Sequence, residues 1–424
     1  MNMMKIKICI IGLGYVGLPL AVAFSEKFKV IGYDINQDRV SELNNGVDKT
    51  DEVSPDVLKR SGESLVFVSN KDAIKGCNIY IVTVPTPIDE NNLPNLNPLI
   101  SASQLIGSVL KENDIVIYES TVYPGVTEDV CVPEIEKYSD MVFNKDFYCG
   151  YSPERINPGD KTHTIKNILK VTSGSTPEIA KKIDDLYKTI IDAGTYMAPS
   201  IKVAEASKVI ENIQRDVNIA LINELAIIFD QMGLDTHEVL SAAATKWNFI
   251  KLFPGLVGGH CIGVDPYYLS FKAEDVGYKP NLILTSREIN NGMSQFIAEK
   301  TINKMLEAGF KIKISEILVL GATFKENCPD MRNTKVLDIV DQLSSCGANV
   351  ELYDPWVENN KIPENKYKFV EDPLSRNKTY NAIIVAVSHE CFKKYSSVEY
   401  MKLSNPNAVI IDIKNIVENP TWKL

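Results

Sequence analysis

The sequence predicts an α/β fold with two Rossmann-like, doubly wound domains that a long central helix joins. Three observations predict it. Apolar runs of strand length alternate with stretches of helical length in residues 7–121, and the alternation returns after about residue 310. Between these regions, residues 200–232 carry apolar side chains at helical spacing without a proline. A chain of 424 residues is also long enough for two or three domains.

The first region predicts a parallel sheet that is covered on both faces. Each strand candidate is apolar at nearly every position, which is typical of strands buried on both sides. We assign residues 1–198 to this first domain. The strand candidates are KICIIG (7–12), KVIGYD (29–34), LVFVS (65–69), IYIVTVP (79–85) and IVIYEST (115–121).

The segment from 200 to 232 predicts one helix of roughly 30 residues, which would be about 45 Å long. Gly233 supplies a stop for it. Such a helix is too long for the surface of one domain, so we expect a strut that also offers apolar area for a homodimer. We assign residues 199–300 to a central helical and dimerisation domain, which includes the loop around Cys261.

The last region predicts a second open sheet, in residues 301–424. It loosely repeats the first region, because a strand, a glycine and a helix precede a strand that ends in Asp34 or Asp354. The second copy lacks the glycine pattern described below, so we expect it to bind a different ligand. Its strand candidates are EILVLG (316–321), NVELYD (349–354), NAIIVAVS (381–388) and AVIIDI (408–413), and VLDIVDQLSSCG is a helix between the first two.

Composition narrows the class of protein. The net charge of −10 argues against a general nucleic-acid-binding surface. No run of about 18 apolar residues occurs, so we expect no membrane span, and we expect no signal peptide. The eight cysteines form no CxxC pair and the four histidines do not cluster, so we expect neither a disulfide framework nor a metal site. A reducing cytoplasm fits this pattern.

GLGYVG (12–17) matches the dinucleotide-binding pattern GxGxxG. The motif follows a strand and opens a helix, and Asp34 ends the next strand about 20 residues later. Gly12 permits a tight turn, Gly14 lets the backbone approach a pyrophosphate, and Gly17 allows close packing of helix on strand. The helix N-terminus then faces the phosphates. Asp34 would accept hydrogen bonds from the adenosine ribose and repel a 2′-phosphate, which favours NAD over NADP.

Arg39 complicates this preference for NAD. It lies five residues after Asp34, and its guanidinium could neutralise a phosphate or stack on adenine. We keep NAD as the predicted cofactor because of the Asp34 carboxylate. The alternative for the whole stretch is a glycine-rich turn that binds no ligand.

VGGHCIGVDPYY (257–268) places Cys261 in a glycine-rich turn, four residues before Asp265. Cysteine is among the most buried residue types, so packing is one interpretation. A metal-binding role would have only His260 beside it, without a second pair at ligand spacing. The flanking glycines favour a third interpretation, a nucleophile in an accessible site, because glycines suit a close approach of backbone to ligand.

A cysteine nucleophile in a chain that binds NAD indicates a four-electron oxidation. NAD removes a hydride from an alcohol, the thiolate adds to the resulting aldehyde, and the thiohemiacetal loses a second hydride to give a thioester. Water then releases a carboxylic acid. The site would also need a cation for developing oxyanions, a carboxylate that handles the protons of water, and a clamp for the substrate.

A series of motifs resembles the UDP-glucose/GDP-mannose dehydrogenase family, in the family's order and over nearly the whole chain. The resemblance implies an NAD-dependent oxidation of the C6 alcohol of a nucleotide sugar to a uronate by the route above. We expect NAD on the N-terminal sheet, the nucleotide on the C-terminal domain and the active site in the cleft between them. The motifs are GLGYVGLPLA, VPTP (84–87), EST (119–121), SPERINPGD (152–160), ASKVIEN (206–212), VGGHCIGVDPYYL (257–269) and GATFKENCPDMRNT (321–334).

The resemblance also implies roles for individual residues. Cys261 matches the family's nucleophile, and Lys208 matches the lysine that stabilises oxyanions. Asn212, one helical turn later on the same face, matches the partner of that lysine. Asp265 matches an aspartate that assists proton transfer, and Glu154 matches a glutamate of the active site.

Further matches concern the cofactor and the substrate. Thr121 matches a threonine that positions water and nicotinamide, Lys325 matches a substrate-contacting lysine between the domains, and Arg332 matches an arginine near the cofactor pyrophosphate. Other residues complete the expected site. They are Tyr15, Val16, Arg39, Pro85 and Thr86 for the cofactor, and Arg155, Arg215, Gly258, Tyr267, Tyr268 and Arg287 for the substrate.

Some positions depart from the pattern of the UDP-glucose members. Pro158 stands where many of them carry a second glutamate, and Val264 where many carry a lysine. KWNF (246–249) occupies the area of an arginine that reaches in from a neighbouring subunit, for which Arg287 is another candidate. With SPERINPGD and NIQRDVNIAL, these features resemble the branch that acts on UDP-N-acetylglucosamine or UDP-N-acetylgalactosamine in bacterial or archaeal surface-polysaccharide synthesis.

Three alternatives stay open on the sequence. The substrate could instead be UDP-glucose or UDP-N-acetylmannosamine. An ordinary two-electron NAD dehydrogenase would share the cofactor fold and the lysine but would have no use for Cys261. A catalytically silent nucleotide-sugar sensor on the same fold would not need to keep Cys261, Lys208, Asp265 and Glu154 together.

Overall fold

A computed structural model describes most of the chain, over residues 6–156, 164–259, 262–357 and 366–424. The chain divides into two compact units, each with a parallel sheet and helices, so the predicted α/β class is confirmed. The first unit consists of Met1–Glu211 and Tyr267–Tyr278, and the second of Asn212–Pro266 and Lys279–Leu424.

The main sheet of the first unit is parallel, and its order reverses between two strands. Among the described residues its strands are β1 (Lys7–Ile11), β2 (Lys29–Tyr33), β3 (Leu65–Val68), β4 (Ile79–Val82), β5 (Ile115–Tyr118) and β6 (Tyr148–Tyr151). The order is β3-β2-β1-β4-β5-β6. At such a reversal, here between β1 and β4, parallel strands leave a crevice for ligands at their carboxyl ends.

Helices pack on this sheet and complete the core of the first unit. Leu20 and Phe24 of the first helix and Ile183 of the sixth pack in one cluster with Ile8 of β1, and each is at most 1% exposed. A small parallel pair, β7 (Lys170–Thr172) and β8 (Thr195–Met197), lies in the same unit. The helices are α1 (Gly17–Ser25), α2 (Gln37–Asn44), α3 (Pro55–Ser61), α4 (Asn97–Gly107), α5 (Val132–Ser139) and α6 (Pro177–Tyr187).

The predicted central helix is α7 (Ile201–Met232), whose 32 residues begin in the first unit and end in the second. Gly233 ends it with a φ of +70°, and the N–H of Leu234 donates to the carbonyl of Phe229. None of the described helices, including α7, is long and apolar enough to cross a membrane. The helices that follow are α8 (Thr236–Ala243), α9 (Asp265–Asp275) and α10 (Asn281–Glu307).

The second unit has a parallel sheet of its own, as predicted. In the described part of the chain its strands are β9 (Glu316–Leu320), β10 (Asn349–Tyr353), β11 (Lys368–Phe369), β12 (Tyr380–Val385), β13 (Ser404–Asp412) and β14 (Trp422–Lys423). Their order is β11-β10-β9-β12-β13-β14. The helix between β9 and β10 is α11 (Val336–Ser345), and α12 (Ser397–Leu403) precedes β13. Met293 and Ile297 of α10 pack in the core of this unit.

Candidate active site

The glycine motif forms the turn between β1 and α1. Gly12 has a φ of +93°, which favours glycine, and its N–H donates to the carbonyl of Tyr33 (2.9 Å). A Cβ on Gly17 would lie 1.8 Å from the Gly12 carbonyl oxygen and 2.4 Å from Thr83 Oγ1, so no side chain fits there. Gly14 is exposed, and no other described side chain or backbone crowds the position of its absent Cβ. The turn therefore leaves backbone accessible at the N-terminus of α1, where anions bind.

The Asp34 carboxylate stands beside this turn, directly after β2. Its Oδ2 accepts from the N–H of Leu13 (2.8 Å) and its Oδ1 from the N–H of Asn36 (2.9 Å). The side chain stays partly exposed, so it has room for further donors such as ribose hydroxyls.

Arg39 is bound to the protein itself. Its Nε donates to the carbonyl of Leu13 (2.9 Å), and its terminal nitrogens pair with Glu42 (2.5 Å) and Asp48 (2.8 Å). Two carboxylates therefore neutralise the one guanidinium beside the glycine turn. This arrangement disfavours a 2′-phosphate at Arg39 and agrees with the preference for NAD, while a contact of Arg39 with the cofactor stays a prediction.

Polar side chains at the ends of β4 and β5 hold the neighbouring backbone. Thr83 Oγ1 donates to the Gly12 carbonyl (2.7 Å), and Ser120 Oγ donates to the Val84 carbonyl (2.6 Å). Thr121 and the segment with Pro85 and Thr86 follow at the same edge of the sheet as the glycine turn. The sequence analysis did not single out Thr83 and Ser120, although a hydroxyl residue at the carboxyl end of a buried parallel strand is a usable signal.

Glu154 follows β6 and is 8% exposed. Its Oε1 accepts the backbone N–H of Arg155 (2.6 Å) and that of Ile156. Its Oε2 lies 3.6 Å from the Nζ of Lys170, which also pairs with Glu119 at 2.6 Å. Neither Lys170 nor Glu119 was singled out from the sequence. The only signal was one charged residue at the edge of each apolar strand run.

Lys208 and Asn212 lie one turn apart in α7, and both are nearly buried, at 8% and 7% exposure. Within the second unit, the Nδ2 of Asn212 donates to the Oδ2 of Asp265 at 2.5 Å. Asp265 is 2% exposed and is the first residue of α9. The structure thus brings together two of the predicted catalytic residues. Cys261, the predicted nucleophile, lies outside the described residues, as does the neighbouring His260.

The glycines before Cys261 pack against protein. A Cβ on Gly258 would lie 2.7 Å from the carbonyl oxygen of Asn333, and one on Gly259 would lie 2.9 Å from the ring of Phe324. Gly259 also has a φ of +83°. These glycines therefore allow a close approach of two chain segments, and the predicted close approach of their backbone to a ligand stays a prediction.

Glu205 of α7 is a buried anchor that the sequence analysis missed. It is fully buried, three residues before Lys208, and accepts the N–H groups of Gly125 (2.6 Å) and Thr127 (2.9 Å). Burial raises the pKa of its carboxyl to about 7, although both backbone donors favour the charged form. The bonds join α7 to the loop that follows Thr121. Contacts between residues so far apart in sequence leave no local signal.

The arginines predicted for the substrate have different surroundings. Arg155 pairs with Glu211 (2.6 Å), and Arg215 is exposed. Arg287 is 3% exposed and pairs with Asp216 at 2.6 Å. A side chain that reaches a neighbouring subunit has to be exposed, which Arg287 is not. Their roles toward the substrate stay predictions.

Other predicted contact residues can also be placed. Tyr268 is fully buried, and its hydroxyl donates to the carbonyl of Pro87 (3.2 Å), so the structure gives it a protein partner beneath the segment that holds Thr86. Tyr267 is partly exposed. Arg332 is exposed and pairs with Asp330 (2.6 Å).

The second unit has a basic cavity at the carboxyl edge of its sheet. Lys325, Lys335 and Lys414 line it together with Thr323 and Gly258. Burial lowers the pKa of Lys414, whereas a bound anion would favour its charged form. Lys335 also pairs with Asp338 (3.1 Å). Of the three lysines, only Lys325 was predicted from the sequence.

Comparisons with known proteins place the chain in one family. Three models of the UDP-glucose/GDP-mannose dehydrogenase family match it: the NAD binding domain at residues 6–191, the central domain at 202–292 and the UDP binding domain at 318–419. The chain is 54% identical to a UDP-N-acetyl-D-glucosamine 6-dehydrogenase of Pseudomonas aeruginosa, over 98% of both chains. It is 52% identical to one of Salmonella typhi, over 97% of both.

A solved structure shows the same fold. The UDP-D-ManNAc dehydrogenase of Pyrococcus horikoshii superposes with a TM-score of 0.89 at 30% identity. The superposition covers 98% of this chain and 97% of that one. The shared architecture therefore extends over both units and the helix α7.

Proposed function

The chain belongs to the UDP-glucose/GDP-mannose dehydrogenase family, and from this premise we propose that it oxidises the C6 alcohol of UDP-N-acetyl-D-glucosamine to the uronic acid. As a member of this family it is an NAD-dependent nucleotide-sugar dehydrogenase. The observation that carries the choice of sugar is the identity above 50%, over nearly the full chain, with two relatives named for this substrate.

The residues of the first unit fit NAD. The open backbone at Gly14 and the N-terminus of α1 suit the pyrophosphate, and the partly exposed Asp34 suits the adenosine ribose. Thr86 and Thr121, at the ends of neighbouring strands, extend this site toward the nicotinamide. Bound NAD supplies a hydride acceptor.

Cys261 is the proposed nucleophile. After the first hydride has left C6, its thiolate adds to the aldehyde carbon and forms a thiohemiacetal. Loss of the second hydride turns this adduct into a thioester, and water cleaves the C–S bond to release the carboxylate and the thiol. The sum is one alcohol, two NAD⁺ and one water converted to one carboxylate, two NADH and three protons.

Four other side chains support this chemistry in the proposal. The ammonium group of Lys208 stabilises the oxyanions at C6. The Asn212 amide, bonded to Asp265, fixes that carboxylate so that it can take part in proton transfer. Glu154, with one oxygen held by backbone, takes the proton of the hydrolytic water.

The basic cavity of the second unit is the proposed site for the UDP moiety. Lys325, Lys335 and Lys414 line it, and these lysines suit the negative charge of a diphosphate. The match of this region to a UDP binding domain supports the assignment. Arg332 keeps its predicted role near the cofactor pyrophosphate.

We also propose a cytoplasmic homodimer that acts in surface-polysaccharide synthesis. The exposed apolar side chains of α7 support the dimer, among them Ile210 (53%), Leu221 (52%) and Met232 (63%), and Trp247 nearby in the sequence is 92% exposed. The cysteines in the described ranges are free thiols, which supports a reducing compartment. The resemblance to polysaccharide enzymes supports the pathway.

The test is NADH production against a panel of nucleotide sugars. The panel contains UDP-N-acetylglucosamine, UDP-N-acetylgalactosamine, UDP-glucose, UDP-N-acetylmannosamine and GDP-mannose. We expect the highest kcat/KM with UDP-N-acetylglucosamine and two NADH per sugar. One NADH per sugar with an aldehyde product would support the two-electron alternative, and a different preferred sugar would overturn the assigned substrate.

Replacing the thiol tests the covalent route. Cys261→Ser should lower turnover by at least about a thousandfold while NAD binding and the thermal unfolding temperature stay unchanged. The matched control is Cys346→Ser, since Cys346 is an exposed free cysteine. Wild-type turnover in the Cys261 variant would refute the role of the thiol.

A further inference from the structure

A cluster of buried ionisable groups stands behind Glu154 in the first unit. Lys170, the first residue of β7, is 4% exposed, and its Nζ lies 2.6 Å from Glu119 Oε2. The same Nζ donates to the carbonyl of Pro153 (3.1 Å), and the hydroxyl of Tyr187 donates to the other oxygen of Glu119. Glu119 and Tyr187 are fully buried. The Glu119 carboxylate thus fixes the ammonium group of Lys170, and the Tyr187 hydroxyl holds that carboxylate.

The cluster leaves one carboxylate oxygen of Glu154 without a donor. Its Oε1 accepts two backbone N–H groups, whereas no hydrogen bond from the described residues reaches its Oε2. The nearest cation is Lys170, whose Nζ is 3.6 Å away, which is an ion pair but too long for a hydrogen bond. Arg155, next in the sequence, pairs with Glu211 instead. A buried, unpaired carboxylate oxygen is costly unless it serves a ligand.

The cluster keeps a positive charge beside Glu154. Burial alone would lower the pKa of Lys170, but Glu119 and Glu154 together raise it, so the ammonium group stays charged. The ammonium group of Lys170, 3.6 Å from Glu154 Oε2, attracts this carboxylate and holds it in place. Glu119 accepts the direct hydrogen bond of the lysine, so Glu154 keeps the cation close without giving up its second oxygen.

We propose that Lys170, held by Glu119 and Tyr187, is the positioning residue that holds the Glu154 carboxylate with its second oxygen ready to accept a proton from the water that hydrolyses the thioester. The inference rests on the proposed function, because it needs the thioester. In this step the water oxygen bonds to the thioester carbon, its proton passes to Glu154 Oε2, and the C–S bond breaks to release the thiolate. Lys170 itself does not touch the substrate.

The test removes the buried pair together, because Lys170→Met alone leaves a buried carboxylate unpaired and endangers folding. The double variant Lys170→Met/Glu119→Gln keeps an acceptor for Tyr187. With NAD and UDP-N-acetylglucosamine, we expect normal release of both hydrides in the first turnover and hydrolysis slowed about tenfold at pH 7. The thioester should therefore accumulate on the enzyme, which acid quenching and mass analysis measure. Hydrolysis at the wild-type rate in a folded variant would overturn the inference.

Two further variants separate this role from a structural one. In a Glu154→Gln background, removing Lys170 and Glu119 should slow hydrolysis no further, because the lysine acts through that carboxylate. A further equal loss would contradict the inference. Lys188→Met is the matched control, since Lys188 pairs with Asp184 (2.6 Å) in the same unit, and this variant should hydrolyse the thioester at the wild-type rate.

Trapping distinguishes failure of this inference from failure of the proposed function. Acid quenching and mass analysis of Glu154→Gln during turnover should show the sugar bound to the enzyme as a thioester. Suppose that this adduct and two NADH per sugar appear, but the Lys170→Met/Glu119→Gln variant behaves as the wild type. Only the proposed role of Lys170 is then refuted. If no adduct forms in any variant, the proposed function itself is refuted.

Discussion

The sheets of the two units have the same strand order, and the turn after the first strand of each sheet is built in the same way. The N–H of Gly12 donates to the carbonyl of Tyr33, and the N–H of Gly321 donates to the carbonyl of Tyr353. Both glycines have a φ near +90°. In each unit an aspartate then follows the second strand and accepts backbone N–H groups of the turn.

The two aspartates differ in what they leave free. Asp34 is partly exposed, whereas Asp354 is 6% exposed. His389 closes the second site: its Nδ1 accepts the N–H of Asn327, so its Nε2 carries the proton and donates to Asp354 at 3.0 Å. Burial acts to raise the pKa of Asp354, but the bond from His389 and the backbone donors hold it below the usual value. The second carboxylate is therefore part of the framework and not of a ligand site.

The rest of the turn differs as well. Where the first unit has Gly14 and Gly17, the second has Thr323 and Glu326 at the equivalent positions. The second unit instead presents lysines at this edge of its sheet. The comparison teaches that the topology sets where a ligand binds, while backbone exposure or side-chain charge decides which part of a nucleotide is recognised.

Glycine at position 17 should be the most sensitive point of the comparison. Gly17→Ala places a methyl group 1.8 Å from a carbonyl oxygen, so we expect a loss of about 3 kcal/mol in stability and of NAD binding by more than about a hundredfold. UDP binding should persist if the second site is independent. Thermal unfolding and calorimetric titration with NAD and UDP measure this.

Gly14→Ala is the matched control for Gly17→Ala. No described atom crowds its Cβ position, so stability should change by less than about 1 kcal/mol while NAD affinity falls. Unchanged NAD affinity in both variants would break the comparison, because the first turn would then not be the cofactor site.

The pH dependence of stability should differ between the buried carboxyl groups of the first unit and Asp354 of the second. Burial raises the pKa of Asp114 to about 6 and that of Glu205 to about 7, so both bind a proton more tightly in the folded state. Their contribution is complete below pH 4 and is lost as the pH rises through 7, by up to about 3 kcal/mol for Glu205. Asp354, with a lowered pKa, stabilises above its usual pKa and loses this contribution as the pH falls through its depressed value.

Urea unfolding between pH 3 and 9 measures these opposing effects. Glu205→Gln should flatten the decline between about pH 4.5 and 7, since the amide does not titrate. A decline of the same size in this variant would contradict the assignment to Glu205.

Paired substitutions of the two aspartates test their different uses. Asp354→Asn should cost about 1–3 kcal/mol, because it disturbs a buried bond to His389, and should leave the KM for NAD unchanged. Asp34→Asn should cost less and relax the preference for NAD over NADP by about tenfold, since the charge that repels a 2′-phosphate is gone. Steady-state kinetics with both cofactors and thermal unfolding decide. An effect of Asp354→Asn on the choice between NAD and NADP would contradict the assignment of Asp34 to the cofactor site and of Asp354 to the framework.

The smallest effect is expected at Arg332. Its guanidinium is exposed and pairs with Asp330, so Arg332→Ala should change stability by less than about 1 kcal/mol. If it reaches the cofactor pyrophosphate, the KM for NAD should rise several-fold at constant kcat. An unchanged KM would assign Arg332 to the surface of the second unit alone.

Most strands of both sheets could be predicted because buried parallel strands are apolar at nearly every position. The segments IVIY and EILVL carry this signal, and they are β5 and β9. The strand YCGY (β6) was not predicted, because it is short and contains a glycine but no aliphatic side chain. The helix α7 was predicted to within a residue or two, since 32 positions of apolar periodicity average out local exceptions.

The candidate site was predictable only where chemistry is local in sequence. The glycine turn with Asp34 is such a case. Lys170 meets Glu119 across 51 residues, and Glu205 meets Gly125 across 80, so neither pair leaves a pattern in one segment. The hydrogen bond from His389 to Asp354 could not be predicted for the same reason. In the second unit, only the absence of the second and third glycines of the pattern indicated a different ligand.

The unbroken helix α7 has a consequence for how the gene can change. Lys208 and Asn212 share a face only because three residues separate them, and each added residue would turn every later side chain by about 100° around the axis. Insertions or deletions between the two positions should therefore be purged, while substitutions at an exposed position of the same helix such as Gln214 should be tolerated. Selection should therefore act on the number of residues between Lys208 and Asn212.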